Sequence, residues 1–315
     1  MRRYIVRRLA SLAVVLWGVS ILAFALGSLA PGDPARLLME RTLGHQATDE
    51  EVAGMRQELG LDRPAVEQYV SWAGGAVRGD LGTSWSNRND QVSDLLLERL
   101  PRTVMLAVTA MLTAVLVAVP LGVAAARRRN SVTDHASRVA ALLGASVPGF
   151  FVAYLLMFVF GVRLRLLPIF GFNSPQHLVL PSITLALGSA AILTRLTRSS
   201  LLEVLGEDYI RVGRAMGLRS RAVLFRHGLR NAVIPILTVI GLSFGHLLAG
   251  AVIVEWIFNW PGLGKLALDA IHARDYPLIQ GFVLFTGTVF VLMNLAIDLA
   301  YVWADPRVRF QAQGA

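Results

Sequence analysis

Leu9–Ala30 reads LASLAVVLWGVSILAFALGSLA, twenty-two residues without a charged side chain. A helix needs about 20 mostly apolar residues to cross the hydrocarbon core of a bilayer, so this stretch alone sets the expectation of a membrane protein. Arg2, Arg3, Arg7 and Arg8 precede it and Pro31 follows it, which is also the outline of a secretory signal. The apolar core of a signal runs to only about 7–15 residues, and further apolar runs follow here at Thr103–Ala126, Val139–Val162, Leu178–Thr194, Ala232–Val254 and Gln280–Trp303. The first run is therefore read as an uncleaved anchor, and the fold class as an all-α polytopic membrane protein with six transmembrane helices. Pro148 inside the third run and Pro181 near the start of the fourth are compatible with spans, because neighbouring helices satisfy the backbone groups that proline frees.

Composition agrees. Of 315 residues, 55% are hydrophobic and 16% charged, against about 25% charged in soluble domains, which argues against two ordinary soluble domains. The absence of cysteine excludes disulfide frameworks, cysteine–zinc sites and thiol catalysis. The formal charge is +9, and every basic residue except Lys265 is arginine. In a soluble chain such an excess points to nucleic acid, so its placement decides. With the N-terminus inside, segments 1–8, 127–138, 195–231 and 304–315 face the cytoplasm. They hold eighteen arginines against Asp134, Glu203, Glu207, Asp208 and Asp305; the external segments hold twelve basic and fifteen acidic residues. The basic excess lies on one side, the positive-inside pattern. It is explained by the lipid bilayer and both termini being cytoplasmic, and no nucleic acid partner is expected.

The chain divides on this reading into residues 1–30 (cytoplasmic N-terminus and first span), an extracytoplasmic helical insertion at 31–100, the transmembrane domain at 101–303 with a cytoplasmic loop at 195–231, and a cytoplasmic tail at 304–315. The insertion opens with the turn sequence Pro31-Gly32-Asp33-Pro34. Thr48-Asp49-Glu50-Glu51 has the spacing of a capping box, and helical periodicity recurs over 64–77 and 90–100, the pattern of short amphipathic helices lying on the membrane or on the spans.

In the cytoplasmic loop, arginines alternate with small and apolar residues from Tyr209 to Leu218. Ile210, Gly213 and Gly217 fall at i, i+3 and i+7, a small apolar face among cationic ones. Two readings stand level: an interfacial helix held by anionic headgroups, or a helix that docks onto another protein. Inside the last run, Asp298 sits about 7–8 Å from the cytoplasmic end at 1.5 Å per residue. A carboxylate there is expected to meet a cation or a polar cavity, with Arg195 or Arg198 the first candidates, or to snorkel to the interface.

Together these residues resemble the permease subunits of bacterial ABC importers for dipeptides, oligopeptides and nickel. The resemblance covers nearly the whole chain. It is carried by Pro31-Gly32-Asp33-Pro34, by Leu59-Gly60-Leu61-Asp62-Arg63-Pro64 with Gln68-Tyr69 and Trp72, and by Gly79-Asp80-Leu81-Gly82-Thr83-Ser84. It continues through Asp208-Tyr209-Ile210-Arg211, Ala215-Met216-Gly217-Leu218 and Arg226-His227-Gly228-Leu229-Arg230-Asn231-Ala232. It ends with Glu255-Trp256-Ile257-Phe258-Asn259-Trp260-Pro261-Gly262-Leu263-Gly264 and Arg274-Asp275-Tyr276-Pro277. The resemblance implies a type I importer permease in the bacterial inner membrane. Its implied partners are a related second permease chain, two ABC ATPase subunits that bind ATP and Mg, and an extracytoplasmic solute-binding protein. It also implies that the cytoplasmic loop carries the coupling helix, here Asp208, Tyr209, Arg211, Gly213, Arg214, Gly217 and Leu218. In importers generally that loop reads E-A-A-x3-G-x9-I-x-L-P. Anchored on Gly217, the E-A-A positions are Arg211, Val212 and Gly213, and of the rest only the glycine and Leu229 persist, a divergence shared by the peptide-type branch.

Other chemistry finds less support. Gly241-Leu242-Ser243-Phe244-Gly245 matches the hydrolase G-x-S-x-G, with His246 three residues past Ser243. That motif needs a strand–turn–helix setting, whereas here it lies inside an apolar run, where Gly241, Gly245 and Ala249 make a small-residue stripe for helix contact. Ser243, His246 and Asp298 are kept as candidate pathway or interhelical polar residues. Gly264-Lys265 is followed by Leu266 and is not a P-loop; with no Walker motif in the chain, ATP hydrolysis is left to partner chains, and the chain is expected to be non-catalytic with no cofactor or metal of its own. A secondary transporter would favour several intramembrane carboxylates and inverted repeats; Asp298 is the single carboxylate within the runs, and no repeat is visible.

Overall fold

The computed structural model describes residues 2–28, 33–86 and 90–304. Among them the regular structure is helical, apart from one isolated bridge between Thr83 and Gln91. In chain order the helices are α1 (Arg2–Ser28), α2 (Pro34–Leu43), α3 (Asp49–Glu58), α4 (Ala65–Val77), α5 (Val92–Arg127), α6 (Val132–Ser146), α7 (Gly149–Leu156), α8 (Val179–Gly206), α9 (Asp208–Ala215), α10 (Ser220–Ala222), α11 (Arg230–Ile257), α12 (Leu263–His272) and α13 (Tyr276–Ala304). α7 continues as a π-helical segment, Met157–Arg163, and α10 as another, Val223–Leu229.

Among the described residues, four stretches are long and apolar enough to cross a membrane as single helices: Ala10–Gly27, Val92–Arg127, Pro175–Gly206 and Tyr276–Ala296. Two more pass only as bent pairs, Val132–Ser146 with Gly149–Arg163 and Val223–Val233 with Pro235–Gly245, which brings the number to six when each pair is one span. The third apolar run is thus not a straight span. It turns by 102° at Val147-Pro148, because proline drives its predecessor out of the helical region; Val147 is extended, with ψ 127.

Two further boundaries differ from expectation. Residues 90–100 are not a separate amphipathic helix but the first turns of α5, which runs unbroken through Pro101 and Pro120. Val92, Leu96, Thr103, Leu106, Ala107, Ala110, Ala114 and Ala118 are buried along it, and this continuous helical stripe outweighs the lost proline N–H. The fourth run extends past Thr194 to Gly206, so Arg195 and Arg198 lie within α8 rather than in a loop.

The chain clusters into two units, one of residues 1–101 with 266–295 and one of 102–265 with 296–315. In the first, α1 meets α4 through Ser20 and Tyr69, whose hydroxyls are 2.8 Å apart, and through the rings of Phe24, Tyr69 and Trp72. Thr48 caps α3 with the expected reciprocal box: its N–H donates to Glu51 at 2.8 Å. The Thr48 N–H and hydroxyl hold the Glu51 carboxyl below its usual range. Asp33 caps α2; Pro31 and Gly32 of that turn lie outside the described residues. In the second unit α8 is the central helix, packed on α6, α7 and α11. Its core joins Ala107, Ala110, Met111, Ala114 and Ala118 of α5 to Ala186 and Leu193 of α8 and Ile236 and Leu247 of α11. The small side chains let backbones approach closely, the main source of helix association in lipid. At Gly122 a Cβ would fall 2.6 Å from Thr197.

Candidate functional site

The expected coupling segment forms α9, but with a different face. Ile210 is 2% exposed, turned into its own chain. Gly217 lies beyond the helix with φ +85. Its N–H donates to the Arg214 carbonyl at 3.0 Å, and the Leu218 N–H to the Gly213 carbonyl at 3.1 Å, the bond pair of a Schellman motif. Ile210, Gly213 and Gly217 are therefore not one docking stripe. Gly217 is a stop signal, placed where side chains are disfavoured, and the helical spacing expected to run on to it ends at Ala215. The exposed apolar positions of the segment are instead Tyr209 and Val212 on the helix, Met216 at its C-terminal cap, 79% exposed, and Leu218 beyond it; the first three fall at i, i+3 and i+7. Tyr209 is fixed by a bond from the Asn231 amide to its hydroxyl at 2.8 Å. Arg211 reaches Asp208 at 3.4 Å on the solvent side, Arg214 is also exposed, and Leu218 covers Gly213.

Ser243 lies in the interior of α11, 7% exposed, and not at a strand–helix turn, so the geometry of a nucleophile elbow is absent around it. It lines a cavity of about 570 Å³ between α6–α7, α8 and α11, whose other polar groups are Thr184 and Ser189. Among the described residues no charged side chain lines this cavity. The His246 and Asp298 side chains lie outside the described residues. Arg198, one of the cations expected to meet Asp298, is engaged elsewhere: both its Nε and a terminal nitrogen bond Asp134, at 2.5 and 2.8 Å.

Two buried carboxylates carry more of the architecture than the sequence reading gave them. Glu255, fully buried at the end of α11, accepts from the Thr103 hydroxyl at 2.6 Å and from the backbone N–H groups of Gly264 and Lys265 at 2.7 and 3.1 Å. It thereby caps α12, a helix not foreseen from the sequence, by accepting N–H groups that the first turn of a helix leaves without partners. Thr103 in turn accepts from the Leu263 N–H at 2.8 Å, and Trp260 donates its indole N–H to the Arg102 carbonyl at 3.1 Å. Asp275, also fully buried, accepts from the Ser84 hydroxyl at 2.5 Å and the Ser86 N–H at 2.9 Å, while its other oxygen caps α13 at Leu278. Gly79–Ser84 and Arg274–Pro277, quoted above as separate stretches, thus meet at one carboxylate. The signal was present: Glu255 is a lone acid at the end of an apolar run, followed by Pro-Gly.

A family model described as "binding-protein-dependent transport system inner membrane component" matches residues 118–310, and its N-terminal companion matches residues 1–107. The chain is 42% identical over 311 residues to the glutathione transport system permease protein GsiC of Escherichia coli (strain K12), covering 99% of this chain and 100% of that protein. It is 43% identical over 315 residues to the probable peptide ABC transporter permease protein y4tP of Sinorhizobium fredii, covering 98% and 99%. Among solved structures, an inward-facing form of the MetNI methionine ABC transporter aligns with TM-score 0.56 at 17% identity, over 67% of this chain and 96% of that one; this likeness is one of fold.

Proposed function

Since the chain belongs to the family of binding-protein-dependent transport system inner membrane components, a family of multi-pass permease subunits of ABC importers, we propose that it forms the translocation pathway of an importer for short peptides, glutathione-like tripeptides included. The observation that carries the peptide assignment is the 42–43% identity, over 98–99% of the chain, to permeases named for glutathione and for peptides. The cavity beside Ser243 fits it. Peptides are zwitterionic and variable in side chain, and uncharged walls with scattered hydroxyls tolerate that variety, whereas a bare metal cation would call for carboxylate or imidazole ligands.

A solute-binding protein delivers substrate from outside, and a pair of ATPases, working with a related second permease chain, drives the spans between inward-open and outward-open states. The coupling contact is assigned to α9, through Tyr209, Val212 and Met216, with Gly213, Gly217 and Leu218 shaping its end and Asp208, Arg211 and Arg214 on its solvent-facing sides. Residues 31–100 are outside, and both termini and the loop after α8 are inside. Cells expressing the full operon with this chain should accumulate labelled glutathione or tripeptide in an ATP-dependent way and should not accumulate nickel; nickel uptake without peptide uptake would overturn the peptide assignment. For topology, a reporter active only in the cytoplasm should be silent when fused at Gln46 and active at Ser220. Activity at Gln46 would invert the assignment.

A further inference from the structure

We propose that the groove between α6 and α8 is a binding site for an anionic phospholipid of the cytoplasmic leaflet. The groove has a volume of about 370 Å³. Its walls are apolar, with Ala141, Leu142, Ala145, Ala191 and Ile192 facing it, and its rim is formed by Arg138, Arg195 and Arg198 with Ser137 and Thr194. Among the described residues no acidic side chain lines it. The nearby acid is Asp134, fully buried behind the rim. Its two oxygens are taken by Arg198 and by the Asn130 N–H, and Arg138 is no closer than 3.6 Å. Among the described residues, three guanidinium charges against one carboxylate leave the rim with a net charge of +2. Arg195 is exposed and has no ion pair among the described residues.

Charge and shape together select the occupant. Arginine forks bind phosphate oxygens in pairs, so the rim calls for a phosphate. A free phosphate has no use for the aliphatic walls beneath it, whereas a phospholipid fills them with an acyl chain while its headgroup stays at the rim. Basic pockets between membrane helices on the cytoplasmic side are suited to such headgroups. On the topology proposed above, Arg138 lies in α6 ahead of its apolar stretch from Val139, and Arg195 lies in the part of α8 that continues past the apolar stretch ending at Thr194, both toward the cytoplasmic side. The site is independent of which solute is carried.

The test uses the full-length permease co-purified with its partner subunits, delipidated in detergent and examined by native mass spectrometry. Phosphatidylglycerol and phosphatidylcholine of matched acyl chains are the probes, with inorganic phosphate as competitor. Each basic side chain near an anionic lipid surface is worth about a fivefold change in binding. Arg138→Gln with Arg195→Gln should therefore lower phosphatidylglycerol retention about 25-fold, to the level of phosphatidylcholine. Arg198 is left in place to keep the Asp134 pair. Ala141→Trp, which fills the groove and spares the rim, should also abolish retention. Equal retention of the two lipids by the wild type would overturn the proposal, as would retention unchanged in both variants. Displacement by inorganic phosphate with no effect of Ala141→Trp would make this a free-anion site. Lipid bound only when the second permease chain has been removed would assign the groove to that chain.

Discussion

Glu255→Ala should lower the melting temperature of the detergent-solubilised permease complex strongly, and should sharply reduce the amount of assembled complex. The carboxylate is fully buried and accepts one hydroxyl and two backbone N–H groups. Alanine leaves all three donors without an acceptor in a place water does not reach. An orphaned buried donor costs about 1–3 kcal/mol, so the three together come to about 3–9 kcal/mol against a total stability of about 5–15 kcal/mol. Glu255→Gln is the control. Its amide oxygen can serve the two N–H groups of α12, and its NH₂ would face the Thr103 oxygen, which already accepts from Leu263. One hydroxyl proton is left to find a new partner, so Gln should cost about 1–2 kcal/mol, well short of Ala. Gly262→Ala should resemble Glu255→Ala, because a Cβ at that position would collide with the Glu255 carboxylate. Thermal melting followed by size-exclusion fluorescence checks the series. Equal melting of wild type and Glu255→Ala would remove this carboxylate from the account of how α11, α12 and the Thr103 end of α5 are joined.

Much of this fold was legible because one physical demand dominates it. A helix in lipid must be apolar over its length, so Leu9–Ala30 and Gln280–Trp303 announce themselves, and the capping box at Thr48–Glu51 declares the start of α3. What the sequence concealed depends on tertiary context. The Pro148 ring marks a break but not its 102° angle, which rests on what α6 and α7 find to pack against. The periodicity over 90–100 read as a short separate helix, yet the buried stripe from Val92 to Ala118 carries α5 unbroken through Pro101. α12 was missed because its N-terminal cap is not a neighbouring Ser or Asp but Glu255, nine residues before Gly264 and on the preceding helix. At the candidate coupling surface two sets of positions share the spacing i, i+3 and i+7, and only burial separates Ile210 from Tyr209, Val212 and Met216. A glycine on a helix face and a glycine that stops a helix look alike in sequence until φ, +85 at Gly217, is known.

Val212→Asp with Met216→Asp should leave the permease inserted and paired with its sister chain, yet abolish co-purification of the ATPase and all uptake. Val212 is exposed on α9 and Met216 at its C-terminal cap, so the changes do not disturb the core. In a docked contact each apolar side chain is worth about 1.5–3 kcal/mol when buried, and an unpaired carboxylate in the same place adds a desolvation cost. A combined loss above about 3 kcal/mol weakens docking more than about 100-fold. Arg211→Ala and Arg214→Ala should each have little effect, because exposed ion pairs contribute about 0–1 kcal/mol. Gly217 separates shape from contact. Nothing lies within 4 Å of where its Cβ would be, so a larger residue there would not overpack; its cost is the left-handed backbone, about 1–2 kcal/mol for an L-residue. Gly217→Ala should therefore weaken docking about 5–30-fold, and Gly217→Asn, which tolerates that conformation, should recover much of the loss. A docking surface that used Gly217 itself would show the opposite order, with the larger Asn worse than Ala. If the paired Asp variants kept wild-type ATPase association and uptake, α9 would be a membrane-surface helix, and the coupling contact would have to be sought elsewhere in the loop between α8 and α11.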